Sequence, residues 1–416
     1  MKKYILLILC TALTVLFPIF ASAEGNTVSI NDFGSINDAI AAAGAGGIVE
    51  YPAGEYGGIT LNGASNANDI TVLFEEGAKI SSLSINSCNN LTVGGIVEVT
   101  GNVIIHNVTN FVIEDMRLTE NGIFELIGLD TIGTSNGAIL LQPKTNIRLE
   151  RLETANAETR IRNVNGLVID KLISRNAPAS AVVISDIKDL YINSVKVYYP
   201  NRNNSNAAGN MRAVLLERIM NGKLSEYRLE HDDNYIRSFE SGGNNASFTT
   251  DGLTVDKIYY YNTKSTASHD IVLQGGTYAP KNISLNMVYC ASGVENPVWN
   301  SYKTASVAEQ TPAFAVENSE ISQSGETDKE INSSFTLYNP YKFKRTLKIA
   351  ECIYNADGAC IAKTVSDEYI EDEAPIFTLT ASVPSGETAK TAKIFVWDAE
   401  NETEQIVPTI TFDFAE

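Results

Sequence analysis

The sequence predicts an all-β chain: a single-stranded parallel β-helix, with coils stacked one on the next, followed by a small β-sandwich. Three observations carry this. A four-residue pattern recurs along the chain: a polar or glycine residue, an apolar residue, a spacer and a second apolar residue. Its basic step is 20 to 23 residues. After Trp299 it gives way to longer alternating segments separated by turn signals.

The pattern appears as Asp69-Ile70-Thr71-Val72, Asn90-Leu91-Thr92-Val93, Asn110-Phe111-Val112-Ile113 and Asn146-Ile147-Arg148-Leu149. It continues as Gly166-Leu167-Val168-Ile169, Asp189-Leu190-Tyr191-Ile192, Gly252-Leu253-Thr254-Val255 and Asn282-Ile283-Ser284-Leu285. The first apolar positions are spaced 21, 20, 36, 20, 23, 63 and 30. The long steps are read as one coil with an insertion, or several coils with a degraded copy between. Short strands of this kind cannot bury an apolar face alone, whereas stacked coils bury it in one interior. Asn before each strand suits a tight corner, because it tolerates the left-handed region. Helical repeats need longer periods and 3.6-residue patterning, which the sequence lacks.

The chain opens as a targeting segment over residues 1–23. Lys2 and Lys3 precede the apolar run from Ile5 to Phe20, and Ala21-Ser22-Ala23 forms a small-residue cleavage site. The run is too short for a membrane span. An exported chain without a transmembrane segment is expected, secreted from a bacterium. Removing the two lysines takes the formal charge from −19 to −21. Such acidity argues against nucleic-acid backbone binding. The 8% aromatic and 44% hydrophobic content excludes a disordered chain. Of five cysteines, Cys10 leaves with the targeting segment. Cys88 and Cys290 read as buried thiols. Cys352 and Cys360 flank an Asp357-Gly358 hairpin turn, where export permits a disulfide.

The β-helix is assigned to 24–305, a linker to 306–332 and the sandwich to 333–416. Few contacts are expected to cross the polar stretch near 319–329, so the coils are expected to fold without the sandwich.

The region from about Val28 to Trp299 resembles the pectin-lyase-like superfamily. Ser35-Ile36-Asn37-Asp38-Ala39-Ile40-Ala41-Ala42-Ala43 is similar to the amphipathic helix that caps its first coil. The stretch Gly46-Gly47-Ile48-Val49-Glu50-Tyr51-Pro52-Ala53-Gly54-Glu55-Tyr56 resembles its opening strand. The resemblance implies a right-handed β-helix. Lys393-Ile394-Phe395-Val396-Trp397-Asp398 and its neighbours resemble an Ig-like or fibronectin-like module of secreted Gram-positive proteins, which implies an accessory role.

Substrate in that superfamily lies along one sheet, walled by long turns. Two insertions, 119–136 and 199–211, are read as leaving after the same repeat segment. In the strand that follows such turns, Ile161, Val182, Ile184, Val214, Leu216, Ile236, Ile271 and Leu273 are expected to face inward. Arg160, Arg162, Arg212, Arg237, Asp270 and Gln274 then face outward. Four arginines on one stripe suit carboxylates or sulfates, so an acidic polysaccharide or cell-wall glycan is the expected partner. Local pairing with Glu158, Glu217 or Glu240 is the competing account.

Cleavage of a uronate by β-elimination needs a cation at the C5 carboxylate, a base for the C5 proton and a donor to O4. The arginines are candidates for base or clamp, with Lys144 and Lys188 in reserve. The resemblance implies Ca²⁺ as the neutralising cofactor; Asp232, Asp233, Asp251 and Asp256 are candidate oxygen ligands by residue type, and none aligns with a family signature. A hydrolase reading rests on Asp232, Asp233, His269 and Asp270, beside His231. That pair lies 36 residues from His269, longer than one coil, and the flanking glycines of the resembled hydrolases are missing. Tyr198-Tyr199 and Tyr259-Tyr260-Tyr261 offer faces for sugar stacking, with core packing the competing account. A monomer is expected. Polysaccharide lyase, glycan-binding protein and glycoside hydrolase remain open, in that order.

Overall fold

The structure, a computed structural model, describes residues 25–65, 67–129, 143–200, 212–231, 237–243, 249–262, 271–275, 280–292, 298–300, 306–307, 310–312, 314–325, 329–339, 343–399 and 401–414. The targeting segment lies outside them, as do Ile236, Asp232, Asp233, His269 and Asp270.

The chain is all-β apart from short helical segments, and most of its strands form one parallel sheet. At its start, the helix Ile36–Ala43 is capped by Ser35. The Ser35 hydroxyl accepts from the Asp38 amide at 3.2 Å and donates to the Asp38 carboxylate at 2.7 Å. Ala39, Ile40 and Ala43 face the core. The opening strand Ile48–Tyr51 pairs with the next rung at Ile48↔Thr71, and Tyr56 closes its corner by donating to the Pro52 carbonyl at 2.9 Å.

Each repeat then pairs in parallel with the next. The register runs Ile70↔Leu91↔Phe111↔Ile147↔Leu167↔Leu190↔Gly222↔Leu253↔Ile283. The 36-residue step is thus one rung with an insertion. The 63-residue step is two rungs joined through a copy at Gly222 that the pattern search missed. Every apolar member of this column is at most 3% exposed. Burying each such side chain contributes about 1.5–3 kcal/mol.

The residue before each anchor turns the corner. Asp69, Asn90, Asn110, Asn146, Gly166, Asp189, Asn221, Gly252 and Asn282 all have φ between 49° and 84°. That region is open to glycine and tolerated by Asn and Asp, whose short polar side chains bond locally. The side chains also bond from rung to rung. Asn90 Nδ2 donates to Asp69 at 2.6 Å, Asn146 to Asn110 at 2.9 Å, Asn221 to Asp189 at 2.7 Å and Asn282 to Asp251 at 2.8 Å.

The stretch expected to be a linker carries strands. Ser306–Val307 and Gln310–Pro312 extend the parallel ladders, pairing with Ser284, Leu285 and Val288 to Cys290. Ala315–Ser324 and Lys329–Tyr338 pair antiparallel and, with Ile376–Val383, form a three-stranded sheet. A second antiparallel sheet is built from Arg345–Tyr354, Cys360–Ile370, Thr391–Asp398, Asn401–Gln405 and Ile410–Asp413. The two sheets share a core that includes Phe335, Leu347, Ile349, Leu379 and Val396.

That core also takes in Tyr259 and Tyr261 from the parallel stack. The expectation that few contacts cross between the two regions is therefore corrected. Arg345 stacks over Tyr261 at 4.1 Å and reaches Tyr199 at 3.4 Å, Glu230 at 3.8 Å and Asp398 at 3.9 Å. Tyr261 donates to Asp398, and Arg228 pairs with Glu230 while lying over Phe343. Burial and the Asp398 carboxylate push the Tyr261 phenol up, so it stays a donor. Of the tyrosines read as sugar platforms, Tyr259 and Tyr261 are spent on this packing, Tyr260 is wholly buried, Tyr199 is engaged by Arg345 and Tyr198 lies under Arg175.

Candidate functional site

One face of the parallel stack is built from Val103–His106, Gly122–Ile127, the first half of Ala157–Arg175, the first half of Val182–Tyr198, the first half of Arg212–Glu230, and Arg237–Gly243. Gly122–Ile127 is a strand, so 119–136 is not a single insertion. The chain leaves this face after Leu129 and re-enters the stack at Ile147, and it returns to the face at Arg212 after 199–211. The two long connections therefore join opposite strand ends of one face. They do not leave after the same segment, as the sequence reading had them.

Alternation fixes what this face shows. Phe124, Thr159, Val182, Val214, Phe239 and Ile271 stack inward in one register column, and Leu126, Ile161, Ile184 and Leu216 in the next. Their neighbours point out. One outward column is Ile104, Glu125, Arg160, Val183, Leu215, Glu240 and Val272. The second is His106, Ile127, Arg162, Ser185, Glu217 and Gly242.

This register divides the four arginines. Arg160 and Arg162 share a strand and stand two residues apart. Arg212 pairs in register with Arg237, and its backbone amide lies against Ser180, so these two belong to another column. A single vertical stripe of four does not form. Arg212 is committed elsewhere: Nε and Nη2 grip both oxygens of Glu240 at 2.8 and 3.1 Å, with the Glu240 side chain only 3% exposed. The side chain of Arg237 is outside what the structure describes.

Arg160 and Arg162 are about half exposed, at 50% and 46%. They line an open cleft of about 510 Å³ with Glu125, Glu158, Ala179, Ser180, Val183 and Ser185. Small side chains on the following rung leave the space beside the guanidinium groups. Arg160 pairs with Glu158 on its own strand. Among the described residues, Arg162 faces the Glu125 carboxylate, with Nη2 3.9 Å from Oε2. The other oxygen of Glu125 lies 3.2 Å from His106 Nε2. The cleft thus brings together two cations, two carboxylates and, one contact behind, an imidazole. Sequence reasoning missed Glu125 and His106. Extending the same inward–outward alternation to Val103-Ile104-Ile105-His106 and Phe124-Glu125-Leu126 finds both.

The remaining candidates lie apart. Asp251 accepts from Asn282 in the corner column, and Asp256 is taken by Lys223 at 2.9 Å and Asn286 at 3.1 Å. His231 is buried, with its amide bonded to the Tyr261 carbonyl at the flank joining the two-sheet region. Among the described residues no cluster of three metal-ligating side chains forms, and no helix is long and apolar enough to cross a membrane. Cys88 is buried, and burial lifts its thiol to about 11. Cys352 and Cys360 are free thiols on paired strands, where Cys360 stands opposite Tyr354.

No protein-family model and no curated protein matches the chain. Among solved structures, a glycosyl hydrolase family 2 member from Bacteroides cellulosilyticus aligns at 10% identity and a TM-score of 0.22, over 25% of this chain and 15% of that one. A β-glucuronidase from glycoside hydrolase family 2 aligns at 13% identity and a TM-score of 0.19, over 24% of this chain and 11% of that one. ORF18 of Geobacillus virus E2 aligns over 88% of this chain and 78% of that one, at 13% identity and a TM-score of 0.28. The chain covers well under two thirds of the two hydrolases. At these scores the likenesses assign neither a fold family nor an activity.

Proposed function

We propose that this is a secreted enzyme that cleaves an acidic, uronate-containing polysaccharide by β-elimination in the Arg160–Arg162 cleft. In this reading the parallel stack is a right-handed β-helix of the pectin-lyase-like kind, and the two-sheet region is its Ig-like accessory module. The observation that carries the proposal is the half-exposed guanidinium pair beside a floor of small side chains. Two forks side by side can grip a carboxylate at two points. Neutralising that carboxylate acidifies the C5 proton, the step that elimination requires. In this reading the guanidinium groups neutralise the carboxylate, since they are the cations lining the cleft. Asp251 and Asp256 are held by neighbours on adjacent rungs, and Asp232 and Asp233 lie outside the described residues.

The second reading is hydrolysis, favoured by one observation. Glu125 and Glu158 line the same cleft, and paired carboxylates are the equipment of glycoside hydrolases. One experiment separates the two. The mature chain is incubated with polygalacturonate, alginate and a glycosaminoglycan, each with calcium and with chelator. Elimination leaves a 4,5-unsaturated sugar that absorbs in the far ultraviolet. Reducing ends without absorbance would assign hydrolysis. Binding without product would reduce the cleft to a glycan-binding site, and failure to bind any polyanion would end the proposal. Arg162→Ala is expected to lower the elimination rate by orders of magnitude.

A further inference from the structure

We infer that Glu125 is the proton-transferring residue of the cleft and that His106 is the positioning residue that aims it. The inference rests on the cleft's reading as a uronate site. It replaces the expectation that an arginine acts as base. A guanidinium is protonated at neutral pH and must lose its own proton before it can take another, whereas a carboxylate is ready to accept one, so Arg160 and Arg162 are assigned to binding the anion. Among the described side chains lining the cleft, Glu125 and Glu158 are the carboxylates able to accept a proton.

The geometry separates these two. Glu158 is joined to Arg160 on its own strand. Glu125 sits one rung away, directly in register with Arg160, and its two oxygens are treated differently. Oε1 meets His106 Nε2 at 3.2 Å, which fixes the carboxylate plane. Oε2 points toward Arg162 but stands off at 3.9 Å. That oxygen therefore faces the place where the guanidinium pair would hold a sugar carboxylate. His106 stands in the outward column of Arg162, with Ile127 between them. The imidazole thus reaches Glu125 from the side away from the arginines.

The step balances without a co-reactant. Glu125 takes the C5 proton, the C5–H electron pair becomes the C4=C5 double bond, and the C4–O4 bond breaks. The departing O4 recovers that proton from the Glu125 carboxyl, which returns to its starting state.

Three variants test this on whichever polyuronate the unmodified chain cleaves, read by ultraviolet product formation. Glu125→Gln keeps the shape but cannot accept a proton. It is expected to lower kcat by about 10²–10⁴-fold, with KM changed by less than threefold. Glu125→Asp keeps the carboxylate but withdraws it, and should also lower kcat while leaving the melting temperature unchanged. His106→Ala should lower kcat by about tenfold or more, and His106→Gln, which can still donate to Oε1, should restore part of it. A Glu125→Gln enzyme within threefold of the parent kcat would overturn the inference while leaving the cleft reading intact. An equal loss in the two His106 variants, matched by equal losses of thermal stability, would make His106 merely structural. An unmodified chain that forms no unsaturated product would instead remove the cleft reading itself.

Discussion

The cleft and the flank where the two sheets dock use the same side chain to opposite ends. At the flank, Arg345 is 11% exposed, and its partners Glu230 and Asp398 are 8% and 7% exposed. It touches an aromatic face, two carboxylates and a phenol. In the cleft, Arg162 is nearly half exposed, and the Glu125 carboxylate it faces stands at 3.9 Å. A guanidinium surrounded by acids and rings is held as structure. One with open space before it and, among the described residues, an acid 3.9 Å away is on the proposed reading the one that takes an external anion. Counting arginines on a face does not separate these cases; their partners do.

The largest expected effect breaks the flank. Ending the chain after Pro312 would remove Arg345 and Asp398 from Tyr261, Phe343 from Arg228 and Arg345 from Glu230, and would uncover the face of Tyr259 that packs on the two sheets. The shortened protein should aggregate or lose its cooperative melt by circular dichroism. A soluble product with the full-length melting temperature would show that the docking is incidental. Next comes Arg345→Ala, which takes this cation from the buried Asp398 and leaves Glu230 with Arg228. A loss of about 3–5 kcal/mol is expected in urea unfolding. Leu167→Asp, in the interior column, should cost several kcal/mol through an unpaired buried carboxylate.

Smaller effects distinguish two acids by the sign of their pH dependence. Burial raises the Glu153 carboxyl, but bonds from Arg151 at 2.7 Å and Arg175 at 3.1 Å outweigh this and hold it below its ordinary value. The folded state then binds fewer protons than the unfolded one. Its contribution is present above the ordinary carboxylate range and is lost as pH falls through the depressed value. Glu351, fully buried among the strands of the second sheet, is raised by burial. Its contribution is present below the ordinary value and is lost as pH rises through the raised one. Arg175→Ala should therefore flatten the acid limb of a melting-temperature profile. Glu351→Gln should raise the neutral-pH melting temperature by a few degrees. The smallest effect is on the stability of Arg162→Ala, within about 0.5 kcal/mol of the parent, alongside its large loss of activity.

Much of the stack was legible because its signals are local and repeat. The corner Asn and Asp residues, the apolar anchors, the Ser35 cap and the facing of Ile161, Ile184 and Leu216 each follow from a few neighbouring residues. What stayed hidden depends on register between distant segments. That Arg212 closes on Glu240, 28 residues away, is decided by how the intervening connection lets two strands align. Tyr261 meets Asp398 across 137 residues, with no periodic trace to announce it. Gly222 was overlooked as an anchor because it buries no side chain, although its corner at Asn221 is as left-handed as the others.

The corner column has a consequence for how such a chain can change. Successive anchors are separated by intervals from 20 to 36 residues, yet the backbone at every corner from Asp69 to Asn282 has the same handedness. The chain counts its rungs by corners and not by residues. Extra sequence spliced between Leu129 and Thr145, or between Tyr199 and Arg212, is then absorbed before the next corner resets the alignment. Two of the places where the interval lengthens, between Phe111 and Ile147 and between Leu190 and Gly222, adjoin the cleft face. Sequence can change in length there while the anchors on either side keep their register.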